Sequence, residues 1–315
     1  LMQLLDGKNI EPTSPGGILW EKINKGEQIK LLDTSKGQNI FDLMKIAEEN
    51  SMLDNVGGWL GSLSLSTSHG MADVYTLDLG DVRDCLYNMQ ECMMISGKVM
   101  PLLVDVDACF GNPLRTFAML NVLQVAVGVT ENKRADVVKI NSLVSDQGSR
   151  GQMATVDEML FRLKNAKKVQ KNTLVAARIE NLIYNYSVDE TIDYIDQIQE
   201  YCDLILIHWN KEDPKILFEA AKKYQSHGRN QRPLIAVTTA YGKNTSPEEL
   251  KQHGFNLIVY PNHVTRKQLF TAQDIYQSLL TDKSAGGILN EKILPTTEVI
   301  HRFSKPGTFT YKRIL

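Results

Sequence analysis

Two aspartates two positions apart, Asp105 and Asp107, close an apolar run that begins near Val99. Carboxylates placed so are costly to bury unless they are paired, hydrogen-bonded or bound to a cation. Oxygen ligands of this kind suit Mg²⁺. The plain alternative is a capping or turn aspartate ahead of the next helix. Further polar residues close other apolar runs: Glu131 in Glu131-Asn132-Lys133, Arg178 in Arg178-Ile179-Glu180, His208 after Leu204–Ile207, and Asn262-His263. An arginine that emerges from an apolar strand answers a carboxylate or a phosphate, because its planar fork binds either bidentately. A structural salt bridge between Arg178 and Glu180 is the competing reading, as is a structural role for His208. Asp73 follows Ser62–Gly70, read as a loop of small hydroxyl residues able to offer backbone N–H groups to an anion. Taken together these residues suit a Mg²⁺ site that holds an anionic carbonyl acid. No nucleophile motif, H-E-x-x-H, P-loop or paired C-x-x-C accompanies them.

Such residues need a scaffold that brings strand ends together. Short runs rich in Val, Ile and Leu recur at Ile29–Asp33, Val56–Leu65, Val99–Val106, Val122–Thr130, Thr173–Ile179, Leu204–His208, Leu234–Thr238 and Leu257–Tyr260. They read as buried parallel strands. Amphipathic helices separate them: Met159, Leu160 and Leu163 share a face in Val156–Val169, and Ile192, Ile195 and Ile198 do so in Thr191–Tyr201. Ser246-Pro247-Glu248-Glu249 is a helix start, with a capping serine, a first-turn proline and acids near the positive end of the dipole. Eight alternating units predict an α/β fold, a (β/α)8 TIM-type barrel spanning 27–315, after an N-terminal arm spanning 1–26. A doubly wound sheet is disfavoured because no G-x-G-x-x-G follows any strand. In a barrel, the chemistry belongs at the C-terminal ends of the strands.

Composition narrows the classes of function. The formal net charge of −2 argues against a nucleic-acid partner, which asks for a basic face. The hydrophobic fraction of 43% supports a sizeable core. No apolar stretch is long enough for a membrane span. Leu1–Lys8 lacks the pattern of a signal peptide. The four cysteines, Cys85, Cys92, Cys109 and Cys202, do not form a disulfide framework, so a reducing cytoplasm is expected.

The same residues carry a resemblance. The chain resembles the phosphoenolpyruvate mutase branch of the isocitrate lyase superfamily, collinearly from about Ile29 to Phe303. The family's D-A-D-x-G-Y-G-N is matched by Asp105-Val106-Asp107-Ala108-Cys109-Phe110-Gly111-Asn112, and its E-D-K by Glu131-Asn132-Lys133. Its K-x-N-S gating loop is matched by Lys139-Ile140-Asn141-Ser142, and its V-A-R-x-E by Ala176-Ala177-Arg178-Ile179-Glu180. Leu63-Ser64-Leu65-Ser66 through Asp73, Ile207-His208 and Pro261-Asn262-His263 match in turn. Several positions depart from the pattern. Gly61-Ser62 reverses the family's Ser-Gly, Asn132 replaces an acid expected beside the metal, and Ala108-Cys109-Phe110 replaces a small-Gly-Tyr sequence. The gating loop is also longer, and it carries no cysteine, unlike thiol-assisted C–C lyases of the superfamily.

The resemblance implies interconversion of phosphoenolpyruvate and phosphonopyruvate with Mg²⁺ as cofactor. It implies Asp105 as a direct metal ligand, with Asp107 and Glu131 holding metal-bound waters. It implies catalytic roles for Asp73, Lys139, Asn141, Arg178 and His208. Gly61, Ser62, Leu63, Ser142 and Asn262 would bind substrate. Competing readings are a phosphonopyruvate hydrolase, a C–C lyase of an oxaloacetate-like acid, and an inactive barrel that binds an enolate-like ligand. The partner is a small molecule rather than nucleic acid or membrane. A homo-oligomer, dimer or tetramer, is implied through a C-terminal helix around Ala285–Phe303 swapped between subunits.

Overall fold

The computed structural model describes residues 10–73, 76–133, 153–227, 231–281, 293–296 and 299. Eight parallel strands close into a barrel in chain order. They are β1 (Ile29–Asp33), β2 (Val56–Leu60), β3 (Leu102–Asp105), β4 (Val127–Glu131), β5 (Leu174–Ile179), β6 (Leu204–Ile207), β7 (Leu234–Val237) and β8 (Phe255–Tyr260). Closure comes from β1, which pairs with both β2 and β8.

Alternation along each strand sorts the apolar residues into two cores, because successive side chains point to opposite faces. Leu31, Trp59, Leu103, Val127, Val129, Leu174, Ala176, Leu204, Leu206, Ile235, Val237, Leu257 and Val259 fill the barrel. Residues one position along, such as Val104, Val175, Ala177, Ile205 and Ile207, face the helices instead. Their partners lie mainly on α2 (Gly37–Glu49), α4 (Leu79–Ser96), α5 (Pro113–Val122), α6 (Val156–Lys168), α7 (Val188–Ile198), α8 (Lys215–Ser226) and α9 (Pro247–Gln252). Several of these helices begin as the sequence dictates. Ser246 caps α9 with Pro247 in its first turn, and Thr155 and Ser187 form capping boxes with Glu158 and Glu190.

The N-terminal helix α1 (Pro15–Asn24) lies across the end of the barrel where the strands begin. Its Leu19 and Ile23 join the interior core, and the Gly16 N–H donates to the Asn172 carbonyl just ahead of β5. A Cβ on Gly16 would sit 2.3 Å from that carbonyl oxygen, so the close approach requires glycine.

Two sequence expectations change. The run Val56–Leu65 is strand only as far as Leu60; the serine-rich stretch read as a loop is a helix, α3 (Ser62–Ser68). Two of its hydroxyls bond back to their own turn, Ser66 Oγ to the Leu63 carbonyl and Ser68 Oγ to that of Leu65, Ser64 Oγ donates to the Pro261 carbonyl, and Leu65 enters the core. Those bonds satisfy the polar side chains that suggested a loop. The run Val122–Thr130 is likewise broken. Val122 ends α5, and a turn through Gln124 at φ 48° separates it from β4.

Candidate active site

The period-two alternation that fills the barrel also delivers the chemistry. Leu103, Val129, Ala176 and Leu206 are interior residues. Two positions further on stand Asp105, Glu131, Arg178 and His208, which therefore point the same way at the strands' C-terminal ends. The next step along brings Asp107, Lys133, Glu180 and Asn210. Ten sequence-predicted residues line one cavity of about 800 Å³: Gly61, Ser62, Leu63, Asp73, Asp105, Asp107, Glu131, Arg178, His208 and Asn262. Lys139, Asn141 and Ser142 lie outside the described residues, as does nearly all of Ala285–Phe303.

One wall is acidic. Asp105, Asp107 and Glu131 are buried and crowd together with Asp73. Burial, with the charge of Glu131 added and that of Arg178 opposing, pushes the Asp105 carboxyl up to about 6. Burial and the neighbouring carboxylates push Asp107 well above its ordinary range. Burial also raises Asp73, opposed in part by a hydrogen bond from the Ser62 hydroxyl and by the charge of Arg178.

The adjoining wall is cationic and touches the acids. Arg178 reaches Asp105 Oδ2 through Nη1 at 2.8 Å and Glu180 Oε1 through Nε at 2.5 Å. Both sequence readings of this arginine therefore hold at once: it pairs with Glu180 and still faces the cavity. His208 places Nδ1 3.0 and 2.9 Å from the two Glu180 oxygens. Lys133 Nζ lies 3.1 Å from Glu131 Oε2 and 3.8 Å from Glu180 Oε1. Burial alone would neutralise Glu180, yet Arg178, His208 and Lys133 outweigh it and hold the carboxyl well below its usual range.

Glu180 and Lys133 are participants to which the motifs had assigned no role. The signal was present: each sits two residues after a cavity residue and so shares its side of the strand. Asn132 corrects an expectation in the other direction. It does not stand beside the acids: its amide donates to Asn181 Oδ1 at 2.8 Å, and its oxygen accepts the Glu180 N–H at 2.8 Å. Its side chain spans the loops after β4 and β5, and no negative charge is removed from the cavity wall by an asparagine there.

The segment after β3 is held in a costly shape. Asp107, Cys109 and Phe110 have φ of 44°, 61° and 49°, in the left-handed region, followed by Gly111 at 74°. Cys109 is buried, with Sγ 3.2 Å from Thr130 Oγ1, and Thr130 donates to the Asp107 carbonyl at 2.8 Å. These bonds hold Asp107 against the cavity.

The donor set fits a divalent cation. Asp73, Asp105, Asp107 and Glu131 outnumber the cations Lys133, Arg178 and Lys211 that line the cavity, and the crowding shows in the raised Asp105 and Asp107. Among the described residues no three His, Cys, Asp or Glu side chains form a cage by themselves. That agrees with Mg²⁺, which usually takes one or two carboxylates and keeps several waters.

A parallel barrel with carboxylates and an arginine–histidine pair at its C-terminal mouth defines a class of barrel enzymes. The family model described as phosphoenolpyruvate phosphomutase matches residues 44–280, and the chain belongs to that family. A curated relative, the phosphonopyruvate hydrolase of Variovorax sp. (strain Pal2), is 24% identical over 251 residues, covering 78% of this chain and 81% of that protein. Among solved structures, the phosphoenolpyruvate phosphomutase of Streptomyces platensis subsp. rosaceus superposes with a TM-score of 0.76 at 22% identity, over 91% of this chain and 94% of its own. A phosphonopyruvate hydrolase in complex with oxalate and Mg²⁺ gives 0.74 at 19% identity, over 92% and 95%. A 2,3-dimethylmalate lyase gives 0.73 at 16% identity, over 92% and 94%. The likeness to these structures is one of fold.

Proposed function

We propose that this protein is a Mg²⁺-dependent phosphoenolpyruvate mutase, moving a phosphoryl group between the enol oxygen and C3 of pyruvate. The observation that carries the reading is the division of one cavity into an acidic wall and a cationic wall at the barrel's C-terminal mouth. The reaction must hold a pyruvate enolate still while the phosphoryl group is loosely bonded. Asp105 would hold Mg²⁺ directly, and Asp107 and Glu131 would hold its waters. Such an ion supplies Lewis-acid stabilisation of negative charge on the pyruvyl oxygens. The N–H groups of Ser62 and Leu63, which open α3 and have no intrahelical acceptor, meet the carboxylate together with Gly61. Asn262 lines the same cavity. Arg178 and His208 face the phosphoryl group, where electrostatic stabilisation dominates this chemistry. Asp73 guides the phosphoryl group or receives it. Lys139, Asn141 and Ser142 belong to the gating segment whose closure excludes water.

A phosphonopyruvate hydrolase is the second reading, favoured by the similarity to the Variovorax enzyme. A C–C lyase fits less well, because Lys139–Ser142 carries no thiol. Incubation with phosphonopyruvate and Mg²⁺, followed by phosphorus NMR, decides among them. Phosphoenolpyruvate marks the mutase and free phosphate the hydrolase. An unchanged spectrum would leave the C–C lyase or a barrel that only binds, and release of a two-carbon acid from oxaloacetate would separate those. The resemblance also supports a homo-oligomer, and a cytoplasmic setting suits four unpaired cysteines.

A further inference from the structure

Glu180 is completely buried, yet it is the group on which the cationic wall converges. Its backbone is fixed through Asn132, and its carboxylate takes the Arg178 Nε–H. His208 Nδ1 lies within hydrogen-bond distance of both Glu180 oxygens and also 3.1 Å from Arg178 Nη2. An arginine nitrogen can only donate, so the two neighbours make opposite demands on Nδ1. An unprotonated Nδ1 would set its lone pair against two carboxylate oxygens. A protonated Nδ1 satisfies both oxygens and leaves only one guanidinium contact unmade. The carboxylate therefore decides the tautomer, and Nδ1 carries the hydrogen. No protein group among the described residues bonds to Nε2, and the ring lines the cavity.

We propose that Glu180 is a positioning residue that fixes His208 as the Nδ1–H tautomer, so that neutral His208 presents Nε2 to the cavity as a proton acceptor. A phosphoryl dianion is itself an acceptor and cannot be gripped by a lone pair. His208 holds it only after Nε2 takes a proton from solvent, which makes the ring a cationic donor. Ligand binding at this wall is thus coupled to proton uptake. The charged groups facing the ring support this: Arg178 from β5, Glu180 just beyond it and Lys133 from beyond β4. Burial, helped by Arg178 and Lys133 and opposed by Glu180, lowers His208 from its ordinary value, so the resting ring is neutral at pH 8. The tautomer follows from geometry alone, whereas the coupling rests on the phosphoryl-binding role proposed above.

Two measurements on the full chain test this. Long-range ¹H–¹⁵N spectra of ¹⁵N-histidine-labelled protein at pH 8, with His208 assigned from its loss in His208→Asn, should show hydrogen on Nδ1. Hydrogen on Nε2 overturns the proposal. In Glu180→Gln the preference should weaken and the ring's pKa should fall by about one unit or more, since the anion that favours imidazolium is gone. An unmoved titration in folded Glu180→Gln would also count against it. Calorimetry of 3-phosphonopropionate with Mg²⁺, in buffers of different ionisation heat, should show the native protein taking up about one proton more per ligand than His208→Asn. Equal uptake refutes the coupling. If the native protein does not bind this probe, the phosphoryl-site reading falls, and the spectra still decide the tautomer.

Discussion

Asp105 and Asp107 meet a penalty when charged in the folded chain, and its sign gives a pH dependence. Both have folded-state pKa values above those of an unfolded carboxyl, Asp105 at about 6 and Asp107 raised well above the ordinary range. Their contribution to stability is complete below the unfolded pKa and is lost as pH rises through the folded ones. A cation that binds their charged forms offsets that loss. Mg²⁺ should therefore raise the melting temperature by several degrees at pH 8, consistent with about 2.7 kcal/mol at a hundredfold excess over Kd. The rise should be much smaller at pH 5, where protons compete. Equal shifts at the two pH values, read by scanning fluorimetry, would remove these carboxylates from the metal site. At the same scale, Asp73→Ala and Asn141→Ala should each cut turnover by about 10²–10³-fold or more while circular dichroism stays native. Near-native conversion by either variant would reject its assignment.

The elements were readable where one physical rule governed them. The strand runs over β5 and β6 are legible because both faces of each strand are almost wholly buried, leaving mostly apolar sequence, whereas β1 alternates buried with half-buried residues. The same regularity placed Asp105, Glu131, Arg178 and His208 at one mouth. α3 was not legible, because Ser66 and Ser68 satisfy themselves against their own helical turn and Ser64 against the distant Pro261 carbonyl, which composition does not announce. The partnership of Glu180 with His208 joins β5 to the end of β6. It depends on packing between strands, which no local spacing encodes. Asn132 shows the same limit: its motif position suggested the metal, and its actual partners sit on the next loop. The α5–β4 turn offers a test free of catalysis. Gln124 is exposed at φ 48°, so Gln124→Gly should stabilise the fold by about 0.5–1 kcal/mol in urea unfolding, with activity unchanged. Destabilisation would mean that the side chain makes a contribution its exposure conceals.

For the whole molecule, the surface says more than the net charge. The formal −2 gives no hint of a cavity with adjoining acidic and cationic walls. Among the described residues no helix is long and apolar enough to cross a membrane. The last long helix, α10 (His263–Thr281), buries little: Leu269, Phe270, Tyr276, Leu279 and Leu280 are exposed, Leu280 by 82%. Leu269, Tyr276 and Leu280 recur at helical spacing and form a stripe. Light scattering should give a dimer or tetramer, and Tyr276→Asp combined with Leu280→Asp should shift it toward monomer. A monomeric native protein would instead leave that stripe to another cover.

The left-handed residues at 107, 109 and 110 also bear on how this sequence would drift. Each non-glycine there costs of the order of 1 kcal/mol that the fold does not need. A population of variants screened only for heat resistance should accumulate glycine or asparagine at 107, 109 or 110 early, and not at Ala108, whose φ is −88°. One screened for product should keep Asp107 and tolerate change at its neighbours. Sequencing the two populations would separate the inheritance kept for chemistry from that kept for endurance, at three left-handed positions.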